Sequence, residues 1–191
     1  MQIGILALQG ATEPHVLKFK QLNFPAIEVK NYSDLKSVSG IILPGGESTA
    51  MINLLHKTKL WDDLRDFASK KPTWGICAGS ILLAKNVLSP KQESLGLLDI
   101  TVERNAYGRQ LSSFIDTLKG VNSFREVSLE GVFIRAPKIT EIGNDVDVLM
   151  KHQEEVVMVE ERNLWASTFH PELSAHTFLH EKFIEKCKKY G

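Results

Sequence analysis

The residues best suited to chemistry lie in one run, Gly75-Ile76-Cys77-Ala78-Gly79, which follows a predicted strand and precedes a predicted helix. A nucleophile on so sharp a strand-to-helix turn stands clear of the sheet, and only small residues two before and two after it avoid collision. Glycine fills both positions here. The turn sets the sulfur at the amino end of a helix, where the backbone favours an anion. It also aims the Ala78 N–H at an oxyanion formed beside the sulfur. By itself the run also admits a buried structural cysteine, the weaker of the two readings.

A thiol nucleophile needs a base, and the base needs a partner for its second ring nitrogen. Of the six histidines, His170 closes the apolar segment Leu164 to Phe169 and precedes Pro171-Glu172. Pro171 biases His170 toward extended backbone, in which residues two apart project to the same side. The Glu172 carboxylate is therefore expected beside the His170 ring, holding its tautomer. His176 and His180 are four apart on the last predicted helix, half of a metal site without a third ligand, and are expected on a solvated face. His15, His56 and His152 have no comparable context, and Cys187, set among lysines without a turn or a base, is expected to be structural.

A second strand-to-helix turn is Leu43-Pro44-Gly45-Gly46-Glu47-Ser48-Thr49. Its glycines let backbone N–H groups approach a ligand, and Ser48-Thr49 can cap the helix that follows. The spacing and the lysine of a phosphate loop are missing. Gly46 N–H together with Ala78 N–H would form a two-donor oxyanion hole.

The elements that must carry these turns follow from hydrophobic patterning. Strands are expected at Ile3 to Leu8, Ala26 to Val29, Gly40 to Leu43 and Thr73 to Ile76. Between them come helices at about Thr12 to Leu22, Ser48 to His56, Leu60 to Phe67 and Ser80 to Asn86. Such alternation makes a parallel sheet covered on both faces, with ligands bound at the carboxyl ends of its strands. The later strands, Leu98 to Val102, Val127 to Leu129, Val132 to Arg135, Val146 to Met150, Val156 to Val159 and Leu164 to Thr168, have few helices between them, and a last helix runs from about Ala175 to Lys189. The expected fold is α/β: three layers, a mostly parallel central sheet with helices on both faces, and additional antiparallel strands. Residues 1–191 are expected to form a single domain.

Composition narrows the function. Lys plus Arg and Asp plus Glu each number 23, so the formal net charge is zero, and neither a nucleic-acid partner nor a membrane is expected. Two cysteines make no disulfide framework. The apolar start, Met1 to Leu8, lacks a basic lead and is too short for a span. A reducing, cytoplasmic setting is the expectation.

The elbow, the glycine turn and the terminal His-Pro-Glu occur in the order found in triad-type glutamine amidotransferases. More specifically, the chain resembles the glutaminase subunits of pyridoxal 5′-phosphate synthase over essentially its whole length. The likeness rests on Ala7-Leu8-Gln9-Gly10-Ala11, on Leu43 to Thr49, on Cys77-Ala78-Gly79, on Val102 to Gln110, on Phe133-Ile134-Arg135-Ala136-Pro137 and on Phe169 to Leu173. It departs at Pro14, Ile76 and Ser80, where the family usually carries Glu, a small residue and an apolar one.

The resemblance implies a class I glutamine amidotransferase-like, flavodoxin-like fold and a Cys77–His170–Glu172 triad. It further implies that Gly46, Glu47, Ser48, Arg104, Ile134 and Arg135 hold L-glutamine, and that Gln9 helps organise the oxyanion turn. The activity implied is hydrolysis of glutamine to glutamate and ammonia through a cysteinyl thioester, with no cofactor and no metal. The acceptor implied is a separate synthase (lyase) subunit that builds pyridoxal 5′-phosphate. The alternatives are a glutaminase feeding another synthase, an elbow-cysteine hydrolase of the same fold, and a degenerate relative kept as a binding module. The last predicts a broken triad.

Overall fold

The computed structural model describes residues 1–104 and 113–190. Its first half alternates strand and helix: β1 (Ile3–Leu6), α1 (Thr12–Gln21), β2 (Ala26–Val29), α2 (Tyr32–Lys36), β3 (Gly40–Leu43), α3 (Ser48–Lys57), α4 (Trp61–Lys70), β4 (Thr73–Ile76) and α5 (Ala78–Leu83). The second half is mostly strand: β5 (Ala84–Leu88), β6 (Leu98–Glu103), β7 (Ser113–Gly120), β8 (Ser128–Ile134), β9 (Lys138–Ile142), β10 (Asp147–His152), β11 (Glu155–Glu161) and β12 (Leu164–Ser167), closed by α6 (Phe178–Tyr190).

Nine strands form one sheet in the order β2-β1-β3-β4-β12-β11-β10-β7-β8. The run from β2 to β12 is parallel, and β11, β10, β7 and β8 add on antiparallel. A three-stranded sheet, β5-β6-β9, sits apart.

Strands β1, β3, β4 and β12 are buried at every residue, as their nearly continuous apolar sequences require. Alternation sends their side chains to two cores. Leu6, Ile41 and Leu43 pack with Met51, Leu55, Leu64 and Leu82 of α3, α4 and α5. Ile5, Ile42 and Trp74 pack with Phe19 of α1 and Phe183 of α6. Helices therefore cover both faces, giving the three layers.

Several local expectations are corrected. The helix expected at Ser80 to Asn86 stops at Leu83, and Ala84–Leu88 becomes β5 because it finds a parallel partner in β6. The two strands expected between Val127 and Arg135 are one, β8, which passes through Gly131 in register with β7. Strands β7 and β9 and the short helix α2 were not anticipated. Strand β7 is exposed along most of its length, and Asp116, Thr117 and Lys119 break up its apolar residues, so no strand pattern stands out. No helix among the described residues is long and apolar enough to cross a membrane.

The topology delivers three loops to one place. Strands β3, β4 and β12 are adjacent and parallel, with Leu43 beside Gly75 and Ile76 beside Ser167. Their carboxyl ends run into Gly45-Gly46, Cys77 and His170 respectively. The elbow fits only because its glycines are bare: a Cβ on Gly79 would lie 2.0 Å from the Leu43 carbonyl oxygen, and one on Gly75 would lie 2.4 Å from the Gly79 oxygen. Backbone atoms cannot yield as side chains do. Gly79→Ala is predicted to cost at least about 1–3 kcal/mol of unfolding free energy, measured by urea denaturation; an unchanged midpoint would show that the elbow is not closely packed.

Candidate active site

Cys77 holds φ 49 and ψ −104, a conformation that non-glycine residues rarely adopt, at a cost of order 1–3 kcal/mol. The turn is held on both sides. Cys77 N–H donates to the Ser167 carbonyl of β12 at 2.8 Å, and its own carbonyl accepts from Ser80 N–H at 3.1 Å and from Ile81 N–H at 3.3 Å. The Ser80 hydroxyl adds a third bond to that carbonyl at 2.6 Å. Ser80 thus brings a buried hydroxyl that satisfies the strained turn. Ile76 is fully buried among the residues of the α1/α6 core.

His170 lies just beyond β12, and its N–H donates to the Val132 carbonyl of β8 at 2.8 Å. Its Nδ1 lies 2.7 Å from Glu172 Oε1, with both side chains buried. The reason differs from the expected one, since Pro171 to Leu173 form a single 3-10 turn rather than extended chain. The ring packs so closely on the glycine turn that a Cβ on Gly45 would come within 2.3 Å of its Cε1.

Electrostatics make the pair charged. Burial pushes the His170 ring down, but the Cys77 sulfur and the Glu172 carboxylate outweigh it and raise it to about 10. Burial pushes Glu172 up, yet His170 and the nearby His15 hold it below the usual carboxylate range. Near neutrality, then, an imidazolium faces a carboxylate.

In the glycine turn it is Glu47, not Ser48 or Thr49, that caps α3, accepting from Thr49 N–H at 3.1 Å and from Ala50 N–H at 2.7 Å. Arg104 reaches across from β6, its Nη2 lying 3.3 Å from Glu47 Oε1 and 3.1 Å from the Thr49 hydroxyl. The Ser48 hydroxyl donates to Gln92 Oε1 at 3.0 Å. Gln9 accepts from Glu47 N–H at 3.0 Å, and its side chain lies so close to Gly46 that a Cβ there would meet it at 2.4 Å.

These parts open on one cavity of about 430 Å³, large enough for an amino acid. Cys77, Ala78 and His170 line it together with Gly46, Glu47 and Ser48 of the glycine turn and with Arg104, Ile134 and Arg135. Every site residue expected from the sequence except Glu172 contacts the cavity, and Glu172 stands behind His170. Arg135 carries a positive φ of 44, which turns the chain sharply as it leaves β8. Residues Asn105 to Gln110, part of the motif that begins at Val102, lie outside the described residues.

His180, on α6, departs from expectation: it is wholly buried rather than on a solvated face, and with the equally buried His15 of α1 it stands behind Glu172. No local pattern marks them, because their partners come from other elements. Cys187 is also buried, and burial raises its thiol to about 12, overriding the neighbouring Lys186. Among the described residues no group of histidine, cysteine or acidic side chains could hold a metal ion.

The model of the SNO glutamine amidotransferase family matches residues 5–189. The pyridoxal 5′-phosphate synthase subunit PdxT of Francisella tularensis subsp. novicida (strain U112) is 43% identical over 183 residues, spanning 96% of this chain and 97% of that one. Among solved structures, a glutamine amidotransferase superposes with a TM-score of 0.90 at 38% identity, over 97% of this chain and 98% of that one. A putative GMP synthase component from Thermoplasma acidophilum shares the fold, with a TM-score of 0.74 at 15% identity over 100% of this chain and 95% of that one.

The raised His170 value has a sign that can be tested. A group whose value is higher folded than unfolded stabilises fully below the unfolded value, here 6.5, and loses that contribution as pH rises through about 10. The melting temperature of the wild type relative to His170→Gln is predicted to be level just below pH 6.5 and to fall steadily toward pH 10. A difference that stays constant over that window would contradict a charged His170.

Proposed function

The chain belongs to the SNO glutamine amidotransferase family, and from that membership and the geometry of its cavity we propose how it performs the family's chemistry. It is a glutaminase: it hydrolyses glutamine to glutamate and ammonia and supplies the ammonia to a pyridoxal 5′-phosphate synthase partner, the lyase subunit. Residues 1–191 act as one glutaminase domain in the cytoplasm, a reading supported by a family match running nearly end to end and by the balanced charge of the chain.

The observation that carries the mechanism is the meeting of Cys77 and His170 across one cavity, with Glu172 at 2.7 Å behind the ring. The Cys77 sulfur attacks the side-chain amide carbon of glutamine, and the carbonyl π pair moves onto oxygen. Ala78 N–H and Gly46 N–H receive that oxyanion. His170 gives its proton to the amide nitrogen, the C–N bond breaks, and ammonia leaves a glutamyl thioester. The neutral ring then takes a proton from water, whose oxygen attacks the thioester. Collapse of the second tetrahedral species expels the sulfur and releases glutamate. Glu172 holds the ring and its positive charge through both steps.

Arg104 suits the α-carboxylate of glutamine, since a guanidinium meets a carboxylate through two parallel N–H donors. Its bonds to Glu47 and Thr49 hold it over the cavity before substrate arrives. Glu47, Ser48, Ile134 and Arg135 line the remaining wall and complete the glutamine site.

Glutamate release measured with the synthase partner present tests both assignments. Cys77→Ala is predicted to lower kcat by about three orders of magnitude or more, and activity retained by this variant would remove Cys77 from the reaction. Arg104→Ala is predicted to raise KM about tenfold or more, the worth of a charge-assisted hydrogen bond, with a smaller change in kcat. An unaltered KM would separate Arg104 from the substrate.

A further inference from the structure

The triad does not end at Glu172. Its Oε1 meets His170, but its Oε2 is buried and has no hydrogen-bond partner among the described residues. The atom facing it, 3.6 Å away, is His15 Nε2, which is likewise buried and unpartnered. Behind it, His15 Nδ1 lies 3.1 Å from His180 Nε2. Three elements, the 3-10 turn after β12, α1 and α6, thus bring four titratable side chains into one row.

The placement of protons gives the row a direction. Burial drives His15 down to about 4, against the pull of Glu172 and with the push of His170. Burial, with His15 and Lys18 nearby, drives His180 well below its ordinary value. Both rings are therefore neutral at working pH, and each carries one N–H. If His15 held its proton on Nδ1, its Nε2 lone pair would face a carboxylate oxygen 3.6 Å away with both atoms buried, which is repulsive. The opposite arrangement sets a donor against an acceptor at each approach: His180 Nε2–H donates to His15 Nδ1 at 3.1 Å, and His15 Nε2–H points at Glu172 Oε2 3.6 Å away.

We propose that His15 is a positioning residue for the glutaminase triad: its Nε2–H, fixed in that tautomer by His180, donates to Glu172 Oε2 and holds the carboxylate ionised and aligned on His170. This deepens the glutaminase reading and rests on it. A neutral donor suits the task better than a cation. A positively charged ring in the place of His15 would compete with the His170 imidazolium for the same carboxylate, whereas a neutral N–H satisfies the spare oxygen and leaves the negative charge for His170.

The groups facing His15 are Glu172 and His170 from the segment after β12 and His180 from α6; Lys18, one turn along α1, acts on His180 and Glu172. Lys18 Nζ is itself engaged with the Ser174 carbonyl at 2.5 Å, which anchors α1 to the segment carrying Glu172. Loss of the His15 donor raises the pH at which Glu172 takes up a proton, because burial then acts on a carboxylate with one bare oxygen.

The test compares His15→Phe, which keeps the ring volume without a donor, with His15→Gln, whose amide can place N–H near the position of Nε2. Glutamate release is measured with the synthase partner present from about pH 9 down to the acid limit at which the complex stays folded, because Glu172 is held below the usual carboxylate range. His15→Phe is predicted to lower kcat about 10–100-fold, the usual scale for an outer partner of a reacting group. Its KM should stay within about twofold and the acid limb of kcat should move to higher pH. His15→Gln should recover most of the rate and the wild-type limb. His180→Phe should show a smaller loss of the same kind, because the His15 tautomer is no longer enforced.

A His15→Phe enzyme with unchanged kcat and acid limb would overturn the proposal, and so would a His15→Gln enzyme as impaired as His15→Phe. Should His15→Phe fail to fold, His180→Phe and His15→Gln decide the question, and an unchanged His180→Phe profile would overturn it. A Cys77→Ala control that retained activity would instead defeat the glutaminase mechanism itself, so the two failures are distinguishable.

Discussion

The parallel pairing of β4 with β12 governs the chemistry of this protein. Cys77 and His170 are far apart in sequence, and no local preference brings them together. They meet because Ile76 and Ser167 are register partners and the Cys77 N–H continues that ladder to the Ser167 carbonyl. A parallel sheet aligns the carboxyl ends of its strands by construction, so adjacent strands discharge their loops into one space. Strand β3, on the other side of β4, adds the glycine turn by the same rule. Slipping either ladder by one residue would turn the buried side chains of these strands to the wrong face, and the apolar residues on both faces of the sheet resist that. The two cores therefore set the active-site geometry as well as the stability.

Close backbone packing brings strain, and the site concentrates it. The positive φ at Cys77 is maintained by Ser167 on one side and Ser80 with Ile81 on the other. Gly75, Gly79 and Gly45 are bare where a methyl group would strike a carbonyl or the His170 ring. These contacts fix the sulfur and the imidazole against one another, which is what pre-organised covalent chemistry needs. The antiparallel half of the sheet contributes in the same manner, since the β8 carbonyl of Val132 holds the His170 backbone and the same strand ends at Ile134-Arg135 on the cavity rim.

Charge in the buried part of the site follows from which partners each group meets. His170 and Glu172 keep their charges because each faces the other in a poorly solvated setting. The two histidines behind them are neutral because burial, unopposed by a second full ion pair, removes theirs. The result is an ion pair backed by neutral donors, a more favourable arrangement than a row of competing cations. Where solvent is near, on the cavity rim, the charged groups pair differently. Glu47 caps a helix and holds Arg104 at once, so the guanidinium on the cavity wall is oriented by a residue that also builds the turn.

Much of this was legible in the residues themselves. Glycine on both sides of Cys77, the paired glycines before Glu47, and a histidine, a proline and a glutamate in succession each constrain the backbone locally, and local constraints survive as sequence patterns. The central strands were readable for the same reason, because burial on both faces demands nearly unbroken apolar runs. What only the tertiary structure decided involves partners from distant elements. The helix expected to continue through Asn86 yields to a strand because β6 lies alongside. The exposed β7 exists because β8 and β10 pair with it. Glu47 proves to be the cap, and His180 turns inward to His15 instead of outward to water. A sequence records the preference of each residue for its near neighbours; which buried groups end up sharing a proton, or a lone pair, depends on helices and strands that meet only when the chain has folded.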